Sequence, residues 1–104
     1  MSTYETALDA LGDPTRRQVF DLLRRRPRTV SALAADLPVS RPAVSQHLRV
    51  LRDARLVSHR VEGTRHVYEA TPDGLDELRR WLDAFWDDAL DRFAEAAEQR
   101  GRIT

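Results

Sequence analysis

Residues 33–48 read LAADLPVSRPAVSQHL and contain two helical segments joined by a short turn. Pro38 ends the first segment, because a proline lacks the backbone N–H that a continuing helix needs. Ala34 is small at the point where two crossed helices must approach each other, and Val44 and Leu48 lie at the spacing that packs the second helix onto the first. This pattern predicts a helix-turn-helix.

Hydroxyl residues precede both helices of this motif. Thr29 can cap the first helix, and Ser40 can cap a second helix over about 41–54, so the helix-turn-helix spans about 29–54. Many such turns use a glycine with positive φ, whereas Pro38 is fixed near about −65°. We therefore expect the turn to have a different backbone geometry.

Two helices are predicted upstream of the motif. The first spans 3–11 and ends near Gly12, a common helix-terminating residue. Asp13 can cap a second helix over about 14–26 that begins with proline, and Pro27 ends it.

A β-hairpin is predicted downstream of the motif. Residues 57–61 and 66–70 are rich in Val, His and Tyr, and the turn between them, 62–64, is centred on Gly63. This hairpin is the expected wing, over about 57–70.

A long amphipathic helix is predicted over about 72–98, with Thr71 as its cap. Its apolar residues lie within a stripe roughly 140° wide. At about 1.5 Å per residue the helix is roughly 40 Å long, which is more than a domain this small can cover. A second copy covering it is favoured over an intrachain core with a frayed acidic end, and a ligand pocket is a third possibility. The predicted dimer interface contains Tyr4, Leu8, Leu78, Trp81, Leu82, Phe85, Trp86, Ala89 and Phe93.

These elements form one domain over 1–104. The order α-α-α-α-β-β-α, mainly α with a small β-hairpin (α+β), is that of a winged helix-turn-helix, here expected to be dimeric through its terminal helices. The chain has no cysteine, which excludes disulfides and Cys-based zinc sites. No apolar run is long enough for a membrane span, and the beginning of the chain does not resemble a signal peptide. We expect a soluble cytoplasmic, nucleoid-associated protein without a membrane partner.

The charge distribution indicates a local anion-binding surface. The formal net charge is zero, but residues 14–68 carry 12 arginines against four acids, a net charge of +8. The flanking segments carry −3 (residues 1–13) and −5 (residues 69–104). All the basic residues are arginine, the side chain suited to bidentate recognition of phosphates and bases.

The outward face of the second motif helix carries polar side chains near its N-terminus, where a recognition helix meets base edges in the major groove. The candidate base-reading residues are Arg41, Pro42, Ser45, Gln46 and Arg49. Arginine suits guanine and glutamine suits adenine. The candidate contacts to the DNA backbone, including the wing, are Ser40, His47, Arg52, Arg55, Arg60, Thr64 and Arg65. For His47 and the wing arginines, simple solvent exposure is an equal alternative.

Three stretches together resemble the ArsR family of bacterial transcriptional regulators. They read LGDPTRR (11–17) and SRPAVSQHLRVL (40–51), with Gly63 and Tyr68 in the wing. The resemblance implies a homodimeric repressor that binds double-stranded DNA at a palindrome, with the terminal helices forming the dimer interface.

The metal-sensing members of this family use cysteine ligands before the recognition helix, or Asp/His and His/Glu pairs on the last helix. This chain has no cysteine, and its histidines, His47, His59 and His66, all precede the last helix. We predict no metal site and no cofactor. For the two wing histidines, packing between strands is favoured over metal binding.

Two other functions are alternatives to DNA binding. A winged-helix protein-interaction module that docks through the aromatic last helix would have the same fold. An enzyme is not expected, because Ser45 and His47 face different ways on a helix and no glycine-rich phosphate loop is present. The sequence does not indicate a small-molecule effector.

Overall fold

The computed structural model describes residues 3–103, with side chains from residue 5 to residue 101. The predicted order of helices and hairpin is confirmed, with one additional strand. The elements are α1 (Thr3–Leu11), α2 (Pro14–Arg25), β1 (Arg28–Thr29), α3 (Val30–Asp36), α4 (Arg41–Asp53), β2 (Val57–Glu62), β3 (Arg65–Ala70) and α5 (Asp73–Ile103). The architecture is mainly helical with a small antiparallel sheet.

The helix starts follow the predicted capping residues. The side chains of Asp13, Thr29 and Ser40 accept hydrogen bonds from backbone N–H groups three residues later, at 3.0, 3.2 and 3.3 Å. Each bond satisfies a donor that the first helical turn leaves without a partner. The turn between α3 and α4 contains no residue with positive φ, as Pro38 predicts.

The sheet has the order β1-β3-β2, and all its pairs are antiparallel. The short strand β1 was not predicted; it places Arg28 opposite Tyr68 and Thr29 opposite Val67. The wing turn is also shorter than predicted, because Glu62 belongs to β2 and pairs with Arg65.

Only two residues therefore lie in the wing turn. Gly63, with φ +64°, occupies the first position, as a two-residue type II′ turn requires. The strands extend by one residue on each side compared with the prediction.

The core lies where α2, α3 and α4 meet. Its largest fully buried side chains are Leu23, Leu33, Leu48, Leu51, Leu56, Val19 and Val44. Val44, Leu48 and Leu51 share one side of α4, so the packing fixes which side of that helix faces outward. Truncating one of these leucines to alanine costs about 2–5 kcal/mol in typical cores.

Helix α5 differs from the prediction at both ends. It begins at Asp73, because the Pro72 carbonyl receives the N–H of Asp76 at 2.8 Å and Pro72 therefore takes the cap position. It continues to Ile103, five residues beyond the predicted end, since a single glycine at 101 costs only about 1 kcal/mol and does not stop a helix.

Helix α5 also extends far beyond the rest of the fold. Its 31 residues make a rod of roughly 46 Å, and the molecule measures 70 × 24 × 24 Å. Helix α1 packs along it, and Ala7 and Ala10 of α1 are almost completely buried. In residues 3–103 no helix has both the length and the apolar character that crossing a membrane requires.

Candidate nucleic-acid interface

The outward side of α4 carries every residue predicted to read bases. Arg41, Pro42, Ser45, Gln46 and Arg49 are all exposed, because the core takes up the opposite side of the helix. Arg52 continues the exposed row toward the end of α4. The face thus presents three guanidinium groups, a hydroxyl and an amide, which are donors and acceptors that match base edges and phosphates.

Some arginines of the basic segment have side chains that bind other groups of the protein, and we call these occupied. Others have no such partner, and we call these unoccupied. Arg16 and Arg17 donate to the carbonyls of Ala10 and Leu11 at the end of α1, both at 2.7 Å. Their charges therefore stabilise the end of α1.

Arg28 is also occupied. Its side chain is only 10% exposed, and its Nη1 lies 2.6 Å from Asp36 Oδ2. This ion pair joins β1 to the end of α3, just before the turn to α4. The Nε of Arg28 is buried without a hydrogen-bond partner.

The two wing arginines have different surroundings. Arg60 Nε lies 2.8 Å from Glu62 Oε1, and its Nη1 lies 3.2 Å from Glu69 Oε2. The hydrogen bond with Glu62 is the largest cause that raises the pKa of Arg60 above its ordinary value. Arg65 is exposed and has no acidic partner among the described side chains. The sequence gives the same predicted role to both arginines. In the structure Arg60 is paired with two carboxylates and Arg65 with none.

The arginines of α4 resemble Arg65 in having no acidic partner. Arg41, Arg49 and Arg52 have no acidic partner within residues 5–101, so their charge is directed to solvent. Arg55 lies just beyond the helix, and its Nη2 is 3.8 Å from Asp73 Oδ2, a loose and exposed pair.

The wing tip and the start of α3 border one open groove of 610 Å³. Its lining consists of residues 29–32 on one side and residues 64–66 on the other. Thr64 and Arg65 stand at its rim and are exposed. The groove therefore places the unpaired wing arginine beside the helix-turn-helix.

His47 has surroundings that the sequence did not indicate. Its side chain is half-buried and close enough to Asp13 at the start of α2 to help lower the pKa of that carboxyl. The largest cause of this lowering is the hydrogen bond from the Arg16 backbone N–H, and His47 adds a smaller electrostatic contribution. His47 is thus less exposed than the base-reading candidates on the outward face of α4.

The wing histidines stack on the sheet. The ring centroids of His59 and His66 are 5.5 Å apart, and those of His59 and Tyr68 are 5.3 Å apart. In the described part of the chain no three histidine, aspartate or glutamate side chains gather as metal ligands. The strand-packing role favoured from the sequence fits this geometry.

A second exposed surface lies on α5 and α1. The exposed fractions along α5 rise from 38% for Trp81 and Leu82 to 75% for Phe93, and Phe85, Trp86 and Leu90 lie between these values. Leu8 is 41% exposed on α1, the helix that packs along α5. We call this surface the aromatic face.

The predicted interface contains three further residues, Leu78, Tyr4 and Ala89. Leu78 is only 8% exposed because it packs into the protomer's own core, so it adds little to the exposed apolar surface, and its place in the interface stays a prediction. The side chain of Tyr4 lies outside the described residues. Ala89 is half-buried on α5.

A close contact between the end of α4 and the start of α5 was not predicted from the sequence. A Cβ on Gly74 would lie 2.3 Å from the Ala54 carbonyl oxygen, so only glycine fits there. The one available signal was a glycine in the first turn of a predicted helix, where it has no capping role.

Comparisons with known proteins agree with this geometry. Residues 13–59 match the model of the family described as "Bacterial regulatory protein, arsR family". The chain is 52% identical over 107 residues to the HTH-type transcriptional regulator Rv2034 of Mycobacterium tuberculosis, and the match covers 100% of both chains. It is 32% identical over 73 residues to the transcriptional repressor SdpR of Bacillus subtilis, covering 70% of this chain and 81% of the repressor.

A solved structure has the same fold. It is the homodimeric winged helix-turn-helix DNA-binding domain Mb0332 of Mycobacterium bovis, a possible ArsR-family regulator, with a TM-score of 0.66 and 28% identity. The match covers 86% of this chain and 83% of that domain. The relative matched over its whole length, the family match and the shared fold agree with the exposed α4 face described above. The chain belongs to the ArsR family of bacterial regulatory proteins.

Proposed function

We propose that the chain is a homodimeric transcriptional repressor that binds double-stranded DNA at a palindromic operator. The observation that carries this proposal is the row of unpaired arginines on the exposed face of α4, together with an unpaired arginine at the wing tip, beside the start of α3. Twelve of the chain's arginines lie in residues 14–68, but the occupied ones support the fold. Arg25 and Arg26 at the end of α2 also lack an acidic partner among the described side chains, but only Arg41, Arg49 and Arg52 form a row along one helix face of the helix-turn-helix.

Helix α4 would enter the major groove with its first turns. Arg41 and Arg49 can each form a bidentate pair with guanine, and Gln46 can form one with adenine. Ser45 can contact either kind of base, and Pro42 offers an apolar contact to a thymine methyl group. All five side chains are exposed on α4, which supports this role.

The backbone contacts would come from the edges of this surface. Arg52 and Arg55 can reach phosphates beside the groove, while Thr64 and Arg65 at the wing tip can contact the adjacent strand. Ser40 and His47 are weaker candidates, since the Ser40 hydroxyl already caps α4 and His47 is half-buried. Arg60 is the weakest, because two carboxylates already compensate its charge.

A second copy of the chain would cover the aromatic face. Burying apolar surface yields roughly 25 cal/mol per Å², and exposed aromatic rings contribute most of it. The homodimeric state of the Mb0332 domain supports this arrangement. A twofold dimer presents its recognition helices to half-sites about 34–36 Å apart, one turn of DNA, and such a site is palindromic.

In this function residues 1–104 act as one domain. The helix-turn-helix (about 29–54) and the wing (about 57–70) bind DNA, and the last helix (about 72–98) holds the dimer. The activity is binding rather than catalysis, and it needs neither a metal nor a cofactor. Such a repressor would act at the nucleoid in the cytoplasm.

Selection from a random duplex library with the purified protein tests the proposal. We expect enrichment of a palindrome with half-sites one helical turn apart, and guanine or adenine at the positions that face α4. Enrichment of no sequence would contradict it. If another protein were also found to bind through the aromatic face, the two results together would favour a protein-interaction module.

A further inference from the structure

The recognition helix α4 ends in a backbone conformation that its residue type does not favour. The N–H of Leu56 donates to the Leu51 carbonyl at 3.0 Å, and the N–H of Arg55 donates to the Arg52 carbonyl at 2.9 Å. These are the two bonds of a Schellman motif, in which the residue after the cap takes positive φ and is usually glycine. Here that residue is Arg55, with φ +60°.

This conformation turns the Arg55 carbonyl toward α5. The carbonyl accepts the backbone N–H of Gly74 at 2.8 Å and the hydroxyl of Thr71 at 3.0 Å. The N–H of Thr71 also donates to the Leu56 carbonyl at 3.0 Å, where the wing begins and ends. The carbonyls of Arg55 and Leu56 therefore join the end of α4, the base of the wing and the start of α5.

Gly74 makes this contact as close as a backbone allows. It is buried, and a Cβ there would lie 2.3 Å from the Ala54 carbonyl oxygen and 3.0 Å from that of Arg55. A side chain at this position would have to move α5 away from α4. We call Ala54, Arg55, Thr71 and Gly74 the α4–α5 corner.

The geometry points to Gly74 and Thr71 as positioning residues that set the half-site spacing a dimer of this chain accepts. This inference rests on the proposed homodimeric DNA binding and deepens it. If α5 holds the dimer, the corner fixes the direction of α4 relative to the dimer axis. A recognition helix about 17 Å from that axis moves roughly 1.5 Å for a rotation of about 5°, close to half the 3.4 Å rise of a base pair.

A spacing series tests the inference. The selected operator is rebuilt with one or two base pairs added or removed between its half-sites, and each duplex is titrated with wild type, Gly74→Ala and Gly101→Ala. Gly101 also lies in α5, but a Cβ there meets nothing within 4 Å, so its variant is the matched control. Sedimentation confirms that each variant is dimeric.

We expect Gly74→Ala to lose at least about tenfold in affinity for the native spacing. The plot of affinity against half-site spacing should shift its maximum or become flatter, while affinity for a random duplex stays within about twofold of wild type. Gly101→Ala should match wild type throughout. General destabilisation would weaken binding at all spacings alike, so an unchanged spacing profile in a dimeric Gly74→Ala protein would overturn the inference.

Thr71→Val tests the same inference if Gly74→Ala does not fold. This variant keeps the side-chain shape and removes the hydroxyl that donates to Arg55. We expect a loss of about threefold to tenfold at the native spacing, within the range of one hydrogen bond, and recovery in Thr71→Ser. Thr71→Val with wild-type affinity and spacing would overturn the inference. A wild-type protein that prefers no duplex would instead remove the proposed function, and the inference with it.

Discussion

The outward face of α4 and the aromatic face of α5 are both exposed, but they are exposed at different energetic cost. The α4 face carries guanidinium groups, which water solvates well, so the isolated chain carries it without penalty. The aromatic face leaves rings such as Phe93, at 75% exposure, in contact with water. Self-association is therefore expected to be tight and nearly independent of salt, whereas binding through the α4 face should depend on salt and on a polyanion.

The largest expected effect comes from placing a charge on the aromatic face. Trp86→Glu should weaken dimerisation by at least about 100-fold, because a buried interface aromatic is typically a hot spot and the new carboxylate would be desolvated. Sedimentation equilibrium at low and high salt measures it. Operator binding should fall as well.

Ala84→Glu is the matched control for this variant. It introduces the same charge two residues away, on the opposite side of α5, where Ala84 is exposed. Dimerisation that is equally strong in both variants would show that the aromatic face is not the interface.

The next largest effect concerns base reading by α4. Arg49→Ala should lose about tenfold to 100-fold in affinity for the operator and much less for a random duplex, because a bidentate contact to guanine discriminates between bases. Fluorescence anisotropy with both duplexes measures the ratio. An equal loss on both would make Arg49 a phosphate contact.

A smaller effect should separate the two wing arginines. Arg65→Gln should reduce the slope of log affinity against log salt by about one, as the loss of one phosphate contact does. Arg60→Gln removes the same charge from a side chain already paired with Glu62 and Glu69, so the slope should change little. Equal changes in slope would show that the ion pairs of Arg60 open on DNA.

The smallest effect is on stability and depends on pH. The pKa of Asp13 is lowered in the folded chain, mainly by the Arg16 backbone N–H, so the ionised cap stabilises the fold above the ordinary value of 3.8. Asp13→Ala should lower the thermal midpoint at pH 7. The difference from wild type should shrink as pH falls below 3.8, where the carboxyl becomes protonated.

Asp91→Ala, on an exposed position of α5, serves as the control for this measurement. A difference in thermal midpoint between wild type and Asp13→Ala that stays constant down to pH 2 would contradict stabilisation by the ionised Asp13 cap.

Local signals predicted most of the fold. The caps at Asp13, Thr29 and Ser40 and the apolar periodicity of α4 depend on neighbours in the chain, and the structure has them where the sequence put them. Strand β1 could not be predicted, since two residues carry no alternation and the strand exists only through its pairing with β3.

The features that the sequence missed depend on contacts between distant elements. The sequence predicts Thr71 as a helix cap, but in the structure its hydroxyl donates to the carbonyl of Arg55, 16 residues earlier. Positive φ at Arg55 has no sequence signal, because the usual glycine is absent. The pairing of Arg60 with Glu62 could have been inferred, as residues two apart on a strand share one face.

The most direct test of DNA binding through the α4 face is the affinity of the wild-type dimer for its selected operator and for a scrambled duplex across a salt series. With about three arginine–phosphate contacts per protomer, the affinity of the dimer should fall roughly 1000-fold between 50 and 200 mM salt. The operator should remain preferred at every salt concentration, and the dimer should stay intact. Salt-independent affinity, or equal affinity for both duplexes, would contradict the account.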